Sequence, residues 1–159
     1  MLCCIFNYPP LYRQSIYKKI DESYDTQFYF GREPIEGKVS GIKKLDMTLF
    51  NHRPIEIRNK LVGHRFLWRT GILLLPMNWK YTVFLITGDM PLSYIPFLIL
   101  CKICGKKVYA WGHGTKKISG RSSSILNKFF YNTIDGFFVY GERGKQRLID
   151  LGFNGNKFY

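Results

Sequence analysis

The sequence predicts an α/β domain, a parallel sheet with helices on both faces. Three observations predict it. Short apolar or aromatic runs bounded by Gly, Pro or Asp recur along the chain, segments of helical period lie between them, and no repeat or low-complexity stretch breaks the alternation. The 159 residues suit a single core, so residues 1–159 are read as one domain.

Five strands are expected: Leu2 to Phe6, Thr26 to Phe30, Thr82 to Thr87, Lys107 to Trp111 and Gly136 to Tyr140. Each is a nearly continuous apolar run, as strands buried on both faces require. Leu11 to Glu22 places Tyr12, Ile16 and Ile20 on one helical face and turns Lys18 and Lys19 away, which makes a first βα unit. Residues 33 to 62 mix charged and apolar side chains around Gly37, Gly41 and Pro54 and fit a hairpin or an irregular excursion. A helix is expected from Val62 to Met77, with Arg65 and Arg69 on one side and Phe66, Leu67, Leu73 and Leu74 toward the core. Leu92 to Cys104 is apolar nearly all round and ends at Gly105, which marks it as the most buried helix. Ser124 can cap a helix running to Ile134, and Glu142 to Leu151 forms another, ended by Gly152. Lys157-Phe158-Tyr159 reads as the opening of a further strand.

Hydrophobic residues make up 46% of the chain and aromatic residues 17%, enough apolar surface to exclude a disordered protein. Lys and Arg total 24 against 11 Asp and Glu, a net charge of +13 that calls for an anionic environment: nucleic acid, lipid headgroups, a sugar nucleotide or a lipid-linked phosphate. The uncharged stretches Thr70 to Trp79, Tyr81 to Gly88 and Met90 to Cys101 fall short of the roughly 20 residues of a membrane span. The apolar run Leu2 to Phe6 lacks the basic region of a signal peptide, so a cytoplasmic chain with free thiols is expected. Cys3, Cys4, Cys101 and Cys104 include a CxxC, but Cys3 and Cys4 on a strand point to opposite faces and the CxxC lies at a helix C-terminus, where the dipole disfavours thiolate. They are read as core residues, and no metal site is expected.

In an open parallel sheet, ligands bind beyond the carboxyl ends of the strands. Those positions hold Asn7-Tyr8-Pro9-Pro10 leading into Arg13, then Gly88-Asp89, then Gly112-His113-Gly114-Thr115-Lys116, then Gly141-Glu142-Arg143. Glycines on both sides let His113 approach a ligand closely and donate a hydrogen bond or carry charge; the alternative is an exposed turn histidine without a role. Lys116 and Lys117 add positive potential. Arg13, in the first turn of its helix, can hold an anionic group or stand as a solvated surface residue. The loop before it has no Gly-x-Gly-x-x-Gly pattern, so a dinucleotide cradle is not supported. Asp89 can accept from a sugar hydroxyl or act as a base, or serve as a helix cap or turn residue; Glu142 is stabilised by a helix N-terminus whether or not it binds substrate. Phe28, Tyr29, Phe30, Phe129, Phe130, Phe137 and Phe138 follow strand and helix spacing, which favours core packing for most of them over stacking on bases. His52 and His64 are assigned no role.

The segments Tyr8 to Arg13, Lys106 to Gly114 and Asp135 to Arg143, continuing through Leu148 to Phe153 into Asn156-Lys157-Phe158, resemble in order and spacing the N-terminal domain of family 4 glycosyltransferases. The resemblance covers essentially the whole chain. It implies a Rossmann-like domain that is one half of a GT-B fold, retaining transfer from a nucleotide-diphospho-sugar co-substrate, and neither metal nor cofactor. It also implies that the N-terminal domain holds the acceptor, a polysaccharide, a lipid-linked glycan or a glycolipid. By that resemblance His113 is catalytic and reaches the donor sugar across the cleft, the loop from Pro9 to Arg13 lines the site, and Glu142 and Arg143 face it. With Asp89, Gly112, Gly114 and Lys116, the substrate-binding set is Pro10, Arg13, Asp89, Gly112, Gly114, Lys116, Glu142 and Arg143. The donor-binding domain of the family has no counterpart within these residues, so the chain by itself is expected to be inactive, with the basic surface adhering to the inner face of a membrane. Nucleic acid is not the expected partner. The competing readings are a non-catalytic basic α/β module binding nucleic acid or another anion, and an inactive remnant.

Overall fold

The computed structural model describes residues 1–32, 41–62, 66–89, 91–114 and 121–159, the side chains of residues 66 and 121–124 excepted. The described residues form eight strands, β1 (Leu2–Phe6), β2 (Thr26–Gly31), β3 (Ile55–Ile57), β4 (Asn59–Val62), β5 (Phe66–Arg69), β6 (Val83–Thr87), β7 (Lys107–Gly112) and β8 (Gly136–Val139). Four α-helices accompany them, α1 (Gln14–Ser23), α2 (Tyr94–Ile103), α3 (Arg121–Thr133) and α4 (Glu142–Asp150). Six strands form one parallel sheet in the order β3-β2-β1-β6-β7-β8. The order reverses between β1 and β6, the position at which loops leave the sheet in opposite directions and open a crevice.

Chirality then decides which face each helix covers. Right-handed crossovers from β1 to β2 and β3 put α1 and the 41–54 segment on one face, and those from β6 to β7 and β8 put α2 and α3 on the other. Strand alternation supplies both faces with apolar side chains. Cys3, Ile5, Phe84, Ile86, Val108, Ala110 and Phe137 pack under Phe97, Leu98, Phe130 and Leu148 of α2, α3 and α4. Cys4, Phe6, Phe28 and Phe30 pack under Tyr17, Leu45 and Phe50. Cys3 and Cys4 thus sit in different clusters, Cys101 is buried and Cys104 half-buried, all free thiols, as core residues should be. Burial pushes the Cys3 and Cys4 thiols up and takes Cys101 to about 12, which keeps them protonated.

Several expectations are corrected. In place of a helix from Val62 to Met77, β4 and β5 pair antiparallel, Asn59 opposite Arg69 and Val62 opposite Phe66, and a 3-10 turn follows at Leu75–Met77 with Pro76 buried. Leu61, Val62, Leu67 and Trp68 are apolar side chains that suit a pleated ribbon, and Pro76 cannot supply a helical N–H. A sixth sheet strand, β3, emerges from the stretch that sequence left undecided and pairs with β2. Ser124 lies inside α3, which begins at Arg121, not at its cap. After a 3-10 turn, Gly155–Lys157, Phe158 makes a parallel bridge to Phe137, in line with the strand opening expected there. Phe138 is 42% exposed, not core, because no helix among the described residues covers β7 and β8 on α1's face.

Away from the crevice, Asp135 ties the amino ends of β7 and β8 together. Its carboxylate accepts from the Val108 N–H at 2.8 Å and from Lys102 at 3.2 Å, with Lys107 at 3.4 Å. Burial works to raise this carboxyl, but the Val108 hydrogen bond and the two ammonium groups hold it below its ordinary value. A group with a lowered folded pKa contributes stability above its unfolded value, and loses that contribution as pH falls through the folded one. Asp135→Ala should therefore cost about 1–2 kcal/mol at pH 7 by urea denaturation, and the gap between variant and parent should close below about pH 4.

Candidate functional site

The loops after β1, β6, β7 and β8 all leave the same edge of the sheet. Gly88 donates its N–H to the Trp111 carbonyl at 2.8 Å, and Tyr140 donates to Gly112 at 3.1 Å, so the last three of these loops are knitted together. A Cβ on Gly88 would stand 2.5 Å from the Phe137 ring, and one on Gly112 would stand 3.4 Å from the Gly88 Cα, so this close approach admits only glycine at Gly88. Gly114 has φ +75, the left-handed region that frees the chain to turn after His113.

Between the loops after β1 and β6 stands an arginine expected on one side of a helix from Val62 to Met77. Arg69, at the end of β5, has a fully buried side chain. Its Nη2 donates to Asp89 Oδ2 at 2.9 Å and to Asn7 Oδ1; its Nη1 donates to Thr87 Oγ1 at 2.8 Å and to the Tyr94 hydroxyl. The guanidinium also lies 5.0 Å from the Tyr94 ring centroid, and the Arg69 N–H donates to Ser93 Oγ at 3.1 Å. Asn7 Nδ2 closes the ring on Asp89 Oδ2 at 3.2 Å. One cation thereby joins the hairpin, the loop after β1, the end of β6 and the start of α2. The Arg69 Nε is buried without a hydrogen-bond partner among the described residues.

Asp89 is the open end of this network, with 37% of its side chain exposed at the crevice. Burial acts to raise its carboxyl, but Arg69 and the hydrogen bonds from Thr87 and Asn7 outweigh it, so Asp89 stays ionised below the usual carboxylate range. The α2 helix starts several residues later, at Tyr94, so Asp89 is no cap. It is an anchored carboxylate facing solvent, suited to accept a hydrogen bond from a hydroxyl or to take a proton.

Arg13 sits in a 3-10 turn, Leu11–Arg13, just ahead of α1, its N–H donating to Pro10 at 3.1 Å. Its guanidinium carbon lies 5.2 Å from the Trp111 ring, 5.7 Å from Tyr140 and 5.6 Å from Tyr12, an aromatic setting neither sequence alternative included. His113 is exposed and packs on Tyr140 with ring centroids 4.3 Å apart. Tyr140 therefore links the candidate histidine to the candidate arginine. Pro10 bridges to Lys44, and Glu142 and Arg143 are exposed in the first turn of α4. Lys116, with Lys117 and His64, lies outside the described residues. His52 pairs with Asp25 at 3.0 Å, away from this edge. Most of the aromatic residues expected in the core are there: Phe28, Tyr29, Phe30, Phe130 and Phe137 are buried. No helix among the described residues is long and apolar enough to cross a membrane.

No protein-family model matches the sequence, and no curated protein matches it significantly. Solved structures do share the fold. The UDP-GlcNAc 2-epimerase from Methanocaldococcus jannaschii matches with a TM-score of 0.62 at 13% identity, over 99% of this chain and 44% of that one. A UDP-N-acetylglucosamine 2-epimerase matches with a TM-score of 0.59 at 12% identity, over 99% and 47%. The UDP-N-acetylglucosamine 2-epimerase from Rickettsia bellii gives 0.56 at 14%, over 99% and 44%. The chain spans less than half the length of the structures it matches. Its fold is the Rossmann-like half of a GT-B-like architecture.

Removing Arg69 should cost more than neutralising its partner. Arg69→Ala leaves a cavity and strands Asn7, Thr87 and Tyr94, for a loss of about 3–5 kcal/mol. Asp89→Asn keeps a hydrogen-bonding acceptor beside the guanidinium and should cost about 1–2 kcal/mol. Thermal or urea unfolding of both variants checks the order, and equal losses would contradict the network described.

Proposed function

We propose that this chain is the acceptor-side half of a sugar-nucleotide-dependent glycosyltransferase, with the carboxyl edge of its sheet as the working surface. The observation that carries this reading is the convergence there of an anchored, ionised Asp89 with the Gly112-His113-Gly114 turn. A carboxylate and an imidazole on neighbouring loops suit recognition of sugar hydroxyls and of charge that develops as a glycosidic bond breaks. His113 reaches the donor sugar, Asp89 accepts from a hydroxyl of the acceptor, and Arg13 and Arg143 supply positive potential toward phosphate. The donor nucleotide is held by a second domain outside these 159 residues, in keeping with solved structures more than twice as long.

A second reading within the same chemistry is half of a sugar-nucleotide epimerase, favoured by the activity named for all three solved neighbours. Product analysis separates the two: transfer consumes the nucleotide-sugar and frees the nucleotide, whereas epimerisation inverts one carbon of the sugar.

Saturation-transfer NMR on the chain with millimolar UDP-GlcNAc tests the surface itself. Magnetisation should reach the sugar protons more strongly than the uracil protons, and His113→Ala should cut it about fivefold, the scale of one hydrogen bond. Since His113 is exposed, its removal should leave stability within about 0.5 kcal/mol. Uracil-dominated transfer, or a signal indifferent to His113, would sink the proposal.

A further inference from the structure

A histidine that reaches for a ligand needs something to aim it, usually a hydrogen bond to the ring nitrogen that the ligand does not use. His113 has no such bond: its imidazole is exposed, and no described residue hydrogen-bonds either ring nitrogen. Its main chain, by contrast, is fixed. Tyr140 donates its N–H to the Gly112 carbonyl at 3.1 Å, and a Cβ on Gly144, in the first turn of α4, would stand 3.1 Å from the His113 carbonyl oxygen. The histidine is anchored at its backbone, and among the described residues only ring contact is left to set its side chain.

That contact is Tyr140. The two ring centroids lie 4.3 Å apart with 36° between their planes, the shortest ring separation among the described residues. Tyr140 is itself held from behind. Trp111 packs on it at 5.4 Å and on Phe6 and Tyr17 of the buried cluster at 5.6 and 6.4 Å, and the Arg13 guanidinium carbon lies 5.7 Å from the Tyr140 ring. A row of rings thus runs from the core under α1, through Trp111 and Tyr140, to the imidazole. The Tyr140 hydroxyl makes no hydrogen bond to a described residue, so the ring and not its polar tip makes the contact.

We propose that Tyr140 is the positioning residue of His113. Its ring holds the imidazole in one orientation at the carboxyl edge, so that little side-chain freedom is lost when a sugar binds there. Arg13 has Trp111 and Tyr12 besides, at 5.2 and 5.6 Å, and does not depend on Tyr140 alone. The consequence for binding rests on the proposed sugar-nucleotide reading, whereas the aim of the imidazole is read on the free chain, so each can fail without the other.

Carbon-edited NMR of the free chain, with His113 assigned by its loss in His113→Ala, tests the stacking first. Ring current displaces protons held beside an aromatic face. The His113 Hδ2 and Hε1 signals should therefore stand away from those of an unstructured histidine in the parent and in Tyr140→Phe, and move to them in Tyr140→Leu. Saturation transfer to UDP-GlcNAc should then be unchanged in Tyr140→Phe and fall about threefold in Tyr140→Leu, the scale of one side chain left to be ordered on binding. Because the effect runs through His113, Tyr140→Leu combined with His113→Ala should lose no more than His113→Ala alone. Tyr140 is 42% exposed, so the thermal midpoint should hold in both variants. His113 signals indifferent to Tyr140→Leu, a Phe variant that behaves as the Leu variant, or losses that multiply in the double variant would overturn the proposal, the last by showing that Tyr140 touches the ligand itself. No transfer in the parent would remove the sugar-nucleotide reading and leave the free-chain signals to decide the positioning role.

Discussion

At the carboxyl edge of the sheet, the loops after β1 and β6 depend on one buried guanidinium. Arg69 reaches from the hairpin under the crevice and is held by a carboxylate, an amide oxygen and two hydroxyls drawn from three separate parts of the chain. A buried cation is costly unless it is paired and fully hydrogen-bonded, so its position dictates where Asn7, Thr87, Asp89 and Tyr94 must stand. The loops after β1 and β6 flank the switch point of the sheet, and Arg69 fixes both. A ligand entering this crevice meets groups already oriented, with little ordering left to do on binding.

The fold was legible where burial writes itself into sequence. β1, β2, β6, β7 and β8 are nearly continuous apolar runs, and their glycine, proline and aspartate borders mark them within a residue or two. The failures share one cause, long-range pairing. Val62 to Met77 has the composition of an amphipathic helix, but partner strands, not local period, decide its conformation. Ile55–Ile57 is too short to announce itself and becomes a strand only beside β2. Phe138 has the alternation of a core residue; only the one-sided placement of helices, set by crossover handedness, leaves it exposed.

The site was half legible for a related reason. Strand ends name the loops, so His113, Asp89, Glu142 and Arg143 follow from sequence, and the structure brings those loops to one edge. The residue that organises them does not sit in such a loop. Arg69 lies at the end of a hairpin strand, within a mostly apolar stretch, and its sequence signal was a single charge following Phe66-Leu67-Trp68 that a helical reading turned outward. Arg13 was found, but its surroundings were not, since Trp111 and Tyr140 come from β7 and the end of β8.

The central claim is that the sugar nucleotide acts at the carboxyl edge of the sheet, beside the loops that Arg69 fixes. A backbone amide shift map recorded while UDP-GlcNAc is added tests it most directly. The account predicts changes confined to residues 7–8, 88–89, 112–114 and 140–143, the loops that Arg69 and the two glycine contacts hold together. Changes clustered instead at the opposite strand ends, around Asp25, Lys107 and Asp135, or spread evenly over the exposed lysines, would contradict it.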